Sequence, residues 1–236
     1  MHQLILMNRF YFILPLMFLS TIFTAQTRTM ELWPAHTFRV KLNKQFKIDV
    51  ENQLRANIST GELNQFFTQS SIKYKSKKTR LSSGIRLIQE FNNSIENHLR
   101  YHIDYSIGSD ISFRIRYQTK NQLGIKKSEG DYFDNDLRYR LKVKLNVPDT
   151  KFKSSVALEF FQHFETGALN GFNKYRWTFS GEYKISKKGK IGLNIIREKQ
   201  WVYWNPKTTW VLMPYYISYI KKRKPKKESK PFNQFD

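Results

Sequence analysis

Residues 96–120 read ENHLRYHIDYSIGSDISFRIRYQTK. Leu99, Tyr101, Ile103, Tyr105 and Ile107 occupy alternate positions, and Ile111, Phe113, Ile115 and Tyr117 repeat the pattern. Between them stand His98, Arg100, His102, Asp104 and Ser106, then Ser112, Arg114 and Arg116. A period of two is the signature of a β-strand with chemically different faces. Gly108-Ser109-Asp110 supplies a turn between the two strands. The pattern leaves one question, which face is the inside. In water the aromatic face would form the core, whereas in a bilayer it would face outward.

The same rhythm runs through the chain. Phe46, Ile48, Val50, Leu54, Ala56 and Ile58 alternate with Lys47, Asp49, Glu51, Gln53, Arg55 and Asn57. Leu137, Tyr139, Leu141, Val143, Leu145 and Val147 alternate with Arg138, Arg140, Lys142 and Lys144. Further strands are expected near 64–76, 79–91, 95–107, 110–120, 152–164, 172–186, 189–203 and 208–221, with an additional short one near 36–42. That gives about ten strands, long for a globular sheet, where about 5–6 residues is usual. A tilted membrane strand needs about 9–11. No stretch reads as a helix between strands, so a parallel sheet with crossover helices is excluded.

Phe and Tyr number 19 and 13, and 41 Lys plus Arg face 19 Asp plus Glu for a formal net charge of +22. That balance favours anionic partners. There is no cysteine, which excludes disulfides and thiolate chemistry. Residues 1–25 have the form of a cleaved signal peptide: MHQLILMNR, the apolar run FYFILPLMFLSTIFTA, and Ala25-Gln26. The domain plan is then a leader at 1–25, a β-barrel at 26–221 and a basic tail at 222–236, solvated and without fixed structure.

Crowding decides the faces. If every apolar face pointed inward, about ten strands would place about fifty bulky side chains inside a lumen that holds far fewer. Reversed, the apolar face meets lipid and the polar face must neutralise itself, because unpaired buried charge is costly. The expected lumenal charge network is Glu51, Arg55, Arg86, Glu90, Glu96, Arg100, Asp104, Arg114, Arg116, Arg138, Arg140, Glu159, Arg176 and Glu182. Arginine prevails at these sites, where a planar fork suits carboxylates. Lysine collects at turns instead, as at Lys77-Lys78, Lys126-Lys127 and Lys187-Lys188. The expected fold class is all-β, a single up-and-down antiparallel transmembrane β-barrel of about ten strands, with a range of eight to twelve.

Glu51 and Arg55, RIRY at 114–117, LRYRLK at 137–142, ALEFF at 157–161 and NKYRWTFSGEYKI at 173–185 resemble an uncharacterised family of Gram-negative outer-membrane barrels, catalogued as domain of unknown function 2490. The resemblance extends from about Leu32 to Tyr219. It implies an outer-membrane barrel and carries no activity, cofactor or catalytic residue. One departure is the end of the chain. KKRKPKKESKPFNQFD follows the last strand, so Phe235 would not close a regular strand as a terminal assembly signal.

The function expected is that of an outer-membrane barrel, structural or for small-solute or lipid transport, placed there after export. Its partners would be outer-membrane lipids, lipopolysaccharide and the barrel-assembly machinery, with no nucleic acid. A soluble periplasmic barrel that binds an apolar ligand is the alternative, and an envelope lipid-modifying hydrolase a weaker one. The expectation is no catalysis, cofactor or metal. His98 and His102 are about 13 Å apart on a strand, too far to share an ion. His102, Asp104 and Ser106 are spaced by about 7 Å each on the polar face, which does not suit a nucleophile with its base. No phosphate-loop, GxSxG, HExxH or GxGxxG pattern occurs.

Overall fold

The computed structural model describes residues 28–91, 95–123, 134–146, 148, 150–164, 170–201 and 206–220. The leader, the basic tail with Phe235, and Lys126-Lys127 lie outside them. Twelve strand segments follow in order. They are β1 (Arg28–Leu32), β2 (Ala35–Lys41), β3 (Phe46–Asn57), β4 (Leu63–Lys75), β5 (Thr79–Phe91) and β6 (Ile95–Gly108). Then come β7 (Ile111–Gln122), β8 (Asp134–Asn146), β9 (Phe152–Phe164), β10 (Gly171–Lys184), β11 (Gly189–Gln200) and β12 (Thr208–Ile220). No helix occurs among the described residues.

From β2 to β12 each strand pairs antiparallel with the next, and β12 then pairs with β2 to close the cylinder. Eleven strands therefore surround the lumen: the ten long ones and, as β2, the additional short one expected near 36–42. The chain is all-β and forms one barrel. It is a mixed barrel rather than wholly antiparallel, because the β12–β2 seam is parallel. The reason is parity: an odd number of up-and-down strands cannot close without one parallel pair.

The twelfth segment, β1, is collinear with β2. Arg28 lies opposite Thr208 and Val40 opposite Ile220, an offset of 180 residues kept by both segments. Against β3 the two also share one register, from Leu32 opposite Ala56 to Lys41 opposite Lys47. They are one strand interrupted at Trp33-Pro34, and that register sets Pro34 beside Pro214 of β12. Neither proline can donate a backbone hydrogen bond, so the ladder lapses there. Trp33 N to Leu212 O at 2.8 Å and Leu54 N to Pro34 O at 3.1 Å bridge the gap. The interruption explains why the alternation in 28–41 is too short to read as a full strand.

The faces of the opening hairpin are now fixed. Tyr101, Ile103, Tyr105, Ile107, Ile111, Phe113, Ile115 and Tyr117 are exposed on the outer surface, with Ile103 at 56% and Ile111 at 65%. His102 and Asp104 are buried within. One ring of directly opposed inward residues runs Asp49, Ser71, Gly84, His102, Gln118, Asp136 and His163 across seven strands. The inner surface is not wholly polar, however. Trp33, Phe67, Ile88, Ala157, Phe161, Ile196 and Val211 are also buried, and Trp33, Ile196 and Val211 form a small cluster against Met213.

Gly84 is required by its neighbour. A Cβ there would stand 2.5 Å from His102 Cε1 and 2.6 Å from the Ser70 carbonyl, so the imidazole fills the room a side chain would need. Gly84→Ala is expected to destabilise the barrel by about 1–3 kcal/mol, read as a lowered denaturant midpoint with the unfolding slope unchanged. An unaltered midpoint would show that His102 does not occupy this space in solution.

Candidate functional site

The lumen is where the unusual chemistry of the chain gathers. Because inward residues repeat every second position, each strand offers its polar row to the rows on both sides. The pairs that result are charge-assisted and often forked. Arg116 donates Nε to Asp104 Oδ1 at 2.5 Å and Nη2 to Oδ2 at 2.8 Å, while Ser82 Oγ donates to Oδ2 at 3.1 Å. Arg114 Nη2 donates to Glu159 Oε1 at 2.5 Å and approaches Asp104 at 3.9 Å. Arg176 approaches Glu159 at 3.9 Å and donates to Glu198 at 2.5 Å. Asp104, Arg114, Glu159, Arg176 and Glu198 thus form one zigzag of alternating charge from β6 to β11.

Other expected members sit elsewhere. Glu90 Oε1 accepts from Gln65 Nε2 and Lys120 Nζ, both at 3.0 Å. Glu182 takes Lys190 at 2.5 Å. Glu96 faces His98. Arg55 stacks on Trp33 at 3.9 Å and donates to Gln53, and Arg86 stacks on Phe67 at 3.7 Å and donates to Gln69. Arg138 lies over Phe161 at 4.4 Å and 3.8 Å from Asp136. Arg140 is the cross-strand neighbour of both Arg114 and Glu159. Glu51, Arg100 and Arg140 make no ion pair within 4 Å among the described residues, so the Glu51–Arg55 motif is not a contact.

Sequence reasoning missed several partners. Asp49 receives a forked bond from Arg39, both contacts at 2.7 Å, and Lys73 at 2.7 Å. Glu198 also takes Lys174 at 3.0 Å, and Asp136 takes Gln118 at 2.7 Å and His163 Nδ1 at 2.8 Å. Asp49 and Glu198 share the inward phase of their strands, which was the available signal. The inward aromatics were signalled too. Phe66-Phe67 and Phe160-Phe161 each place adjacent rings in opposite phases, so one of each pair must point inside. Phe161 lies beneath Arg138, Lys174 and Arg176 at 4.4, 4.6 and 4.9 Å, a shared π-face for three cations.

With Lys73, Lys120, Lys174 and Lys190 counted beside the arginines, cations outnumber carboxylates here. Arg86 opposes Arg100, Arg114 opposes Arg140, and Arg116 opposes Arg138. Like charges directly across a sheet are unfavourable, and stacking on Phe67 and Phe161 relieves part of that. The surplus gives the lumen a cationic character. Of His102, Asp104 and Ser106, His102 covers Gly84, and Asp104 is held by Arg116 and Ser82.

A family model described as Protein of unknown function (DUF2490) matches residues 30–209, from β1 into β12. The chain belongs to that family. No curated protein matches the sequence. One solved structure, described as "Unveiling the Mechanism Behind the in-meso Crystallization of Membrane Proteins", aligns over 77% of this chain and 75% of that chain. Its identity is 10% and its TM-score 0.43, a likeness too distant to bear on function. For the family, the ion-paired lumen of this member is a concrete structural feature to test.

Asp104→Ala, which strands Arg116, is expected to cost about 3–5 kcal/mol. The double replacement Asp104→Leu with Arg116→Met should recover most of it, as measured by equilibrium unfolding. A fully additive double variant would mean that the pair is not coupled. Arg138→Glu should likewise abolish refolding where Lys187→Glu, on the exposed β10–β11 turn, leaves the refolded yield unchanged.

Proposed function

We propose that this chain is an outer-membrane β-barrel whose lumen is braced by ion pairs, serving a structural role or the passage of small solutes. The observation that carries this reading is the outward belt of apolar side chains. Leu87, Ile95, Ile103, Ile111 and Leu145, on neighbouring strands β5 to β8, are each exposed by half or more. In water, a continuous apolar surface of this extent is a liability, while in lipid it is solvated. Strands of 12 to 14 residues from β3 onward exceed the length a tilted membrane strand needs.

Eleven strands are too few for a wide aqueous channel, which takes about 16. Any solute that passes is small, and the surplus of arginine and lysine favours an anion over a cation. At the rim of the short turns, Lys41, Lys151, Lys153, Lys184, Lys187 and Lys190 surround a cavity with Glu182. This rim supports contact with anionic lipid head groups. Export and the assembly machinery enter as requirements of the location. The chain is assigned no catalysis. An apolar-ligand carrier would need an apolar interior, and the ion-paired lumen argues against it.

Fractionation of cells that express the full chain should place it with outer-membrane proteins. On a gel, unheated and boiled samples should migrate differently, as closed barrels do. Recovery as a monodisperse species in buffer without detergent would overturn the membrane reading.

A further inference from the structure

Glu90, the penultimate residue of β5, lies on the lumenal side, and Glu96 stands directly opposite it near the start of β6. His98 follows two residues later on the same face. Two carboxylates in direct cross-strand opposition repel. Between them the His98 ring is buried to 6% exposure, and its Nε2 is shut off from solvent with no hydrogen bond. That nitrogen is 3.4 Å from Glu96 Oε2 and 3.6 Å from Glu90 Oε2.

These separations are too long for charge-assisted hydrogen bonds, which lie at about 2.7–2.9 Å. They match another geometry. Two ligands held about 2.0–2.1 Å from one tetrahedral centre are about 3.3–3.4 Å apart. All three donor atoms lie within 4.8 Å of one another. Glu90 is also oriented for this role. Gln65 and Lys120 both donate to its Oε1, which leaves Oε2 turned to the imidazole, as outer partners fix a ligating carboxylate.

We propose that Glu90, Glu96 and His98 form a divalent transition-metal site of the zinc class, clasping the β5–β6 hairpin at one rim of the barrel. One imidazole and two carboxylates, with a fourth position left to water or solute, suit zinc better than calcium or magnesium, which favour oxygen alone. The site stands apart from the membrane reading, because its donors point into the lumen whatever surrounds the barrel. A second cluster, Asp134, Asp136 and His163, makes a useful contrast. There Nδ1 lies 2.8 Å from Asp136 and 3.2 Å from Asp134, within hydrogen-bonding range. That cluster is already satisfied by hydrogen bonds.

The test is isothermal titration of the full chain, folded in detergent micelles, with zinc chloride alone. Cobalt chloride in a parallel titration supplies a visible spectrum that reports tetrahedral coordination. Saturable one-to-one binding is expected, with affinity reduced by at least about tenfold in His98→Gln and in Glu96→Gln and unchanged in His163→Gln. Glu96 is partly exposed, so its replacement keeps the comparison open if the His98 variant folds poorly. Absence of saturable binding to the folded wild-type chain would overturn the proposal. So would binding that survives both substitutions, or binding lost only in the His163 variant.

Discussion

Glu159 lies in the middle of the lumen at 5% exposure, with Arg114 bonded from two strands away and Arg140 and Arg176 beside it in the register. Taking that carboxylate out of water costs several kcal/mol unless such partners are in place. Each partner is itself shared, Arg114 with Asp104 and Arg176 with Glu198. Strand register is therefore set by charge. A slip of one residue would carry Glu159 to the apolar outer face and bring Phe160 inside. In an ordinary sheet a buried hydrophobic face enforces register. Here the enforcing groups are ionic, and the apolar face is the one left outside.

Closure depends on a different balance. The ladder of the seam is interrupted where Pro34 and Pro214 fall side by side. Side chains compensate along its length: Thr29 Oγ1 to Thr209 Oγ1 at 3.0 Å, and His36 Nε2 with Ser218 Oγ at 2.8 Å. Arg39 then ties the seam strand to β3 through Asp49. The parallel pair is the weaker geometry per residue, and it is the joint that receives these extra ties.

Much of this was legible in sequence because one physical rule, period-two alternation, runs through ten long strands, and Lys, Gly and Pro mark the turns between them. The segments at 79–91 and 152–164 have the boundaries that the pattern suggests. The short strand near 36–42 was legible as β2, but its continuation backward into β1 was obscured because Trp33-Pro34 breaks the alternation. The polar face marked Asp104, Arg116, Glu159 and Arg176 as lumenal residues. It could not say who bonds to whom, since contacts such as Arg114 with Glu159 skip a strand and depend on side-chain reach. Phe67 and Phe161 were hidden by the simple assumption that apolar means outward. An aromatic ring under a guanidinium is at home in a polar interior.

An even meander brings the polypeptide back to the rim from which it set out, and eleven passes do not. The first segment starts at Arg28 beside the connection 58–62 and the first residue of β12, while the last finishes at Ile220 beside the turns 42–45 and 185–188. The chain thus makes one net traverse of its own cylinder, as a lone helix does of a bilayer, although every pass is a strand. Within any barrier that surrounds the sheet, Arg28 and Ile220 therefore stand on opposite sides.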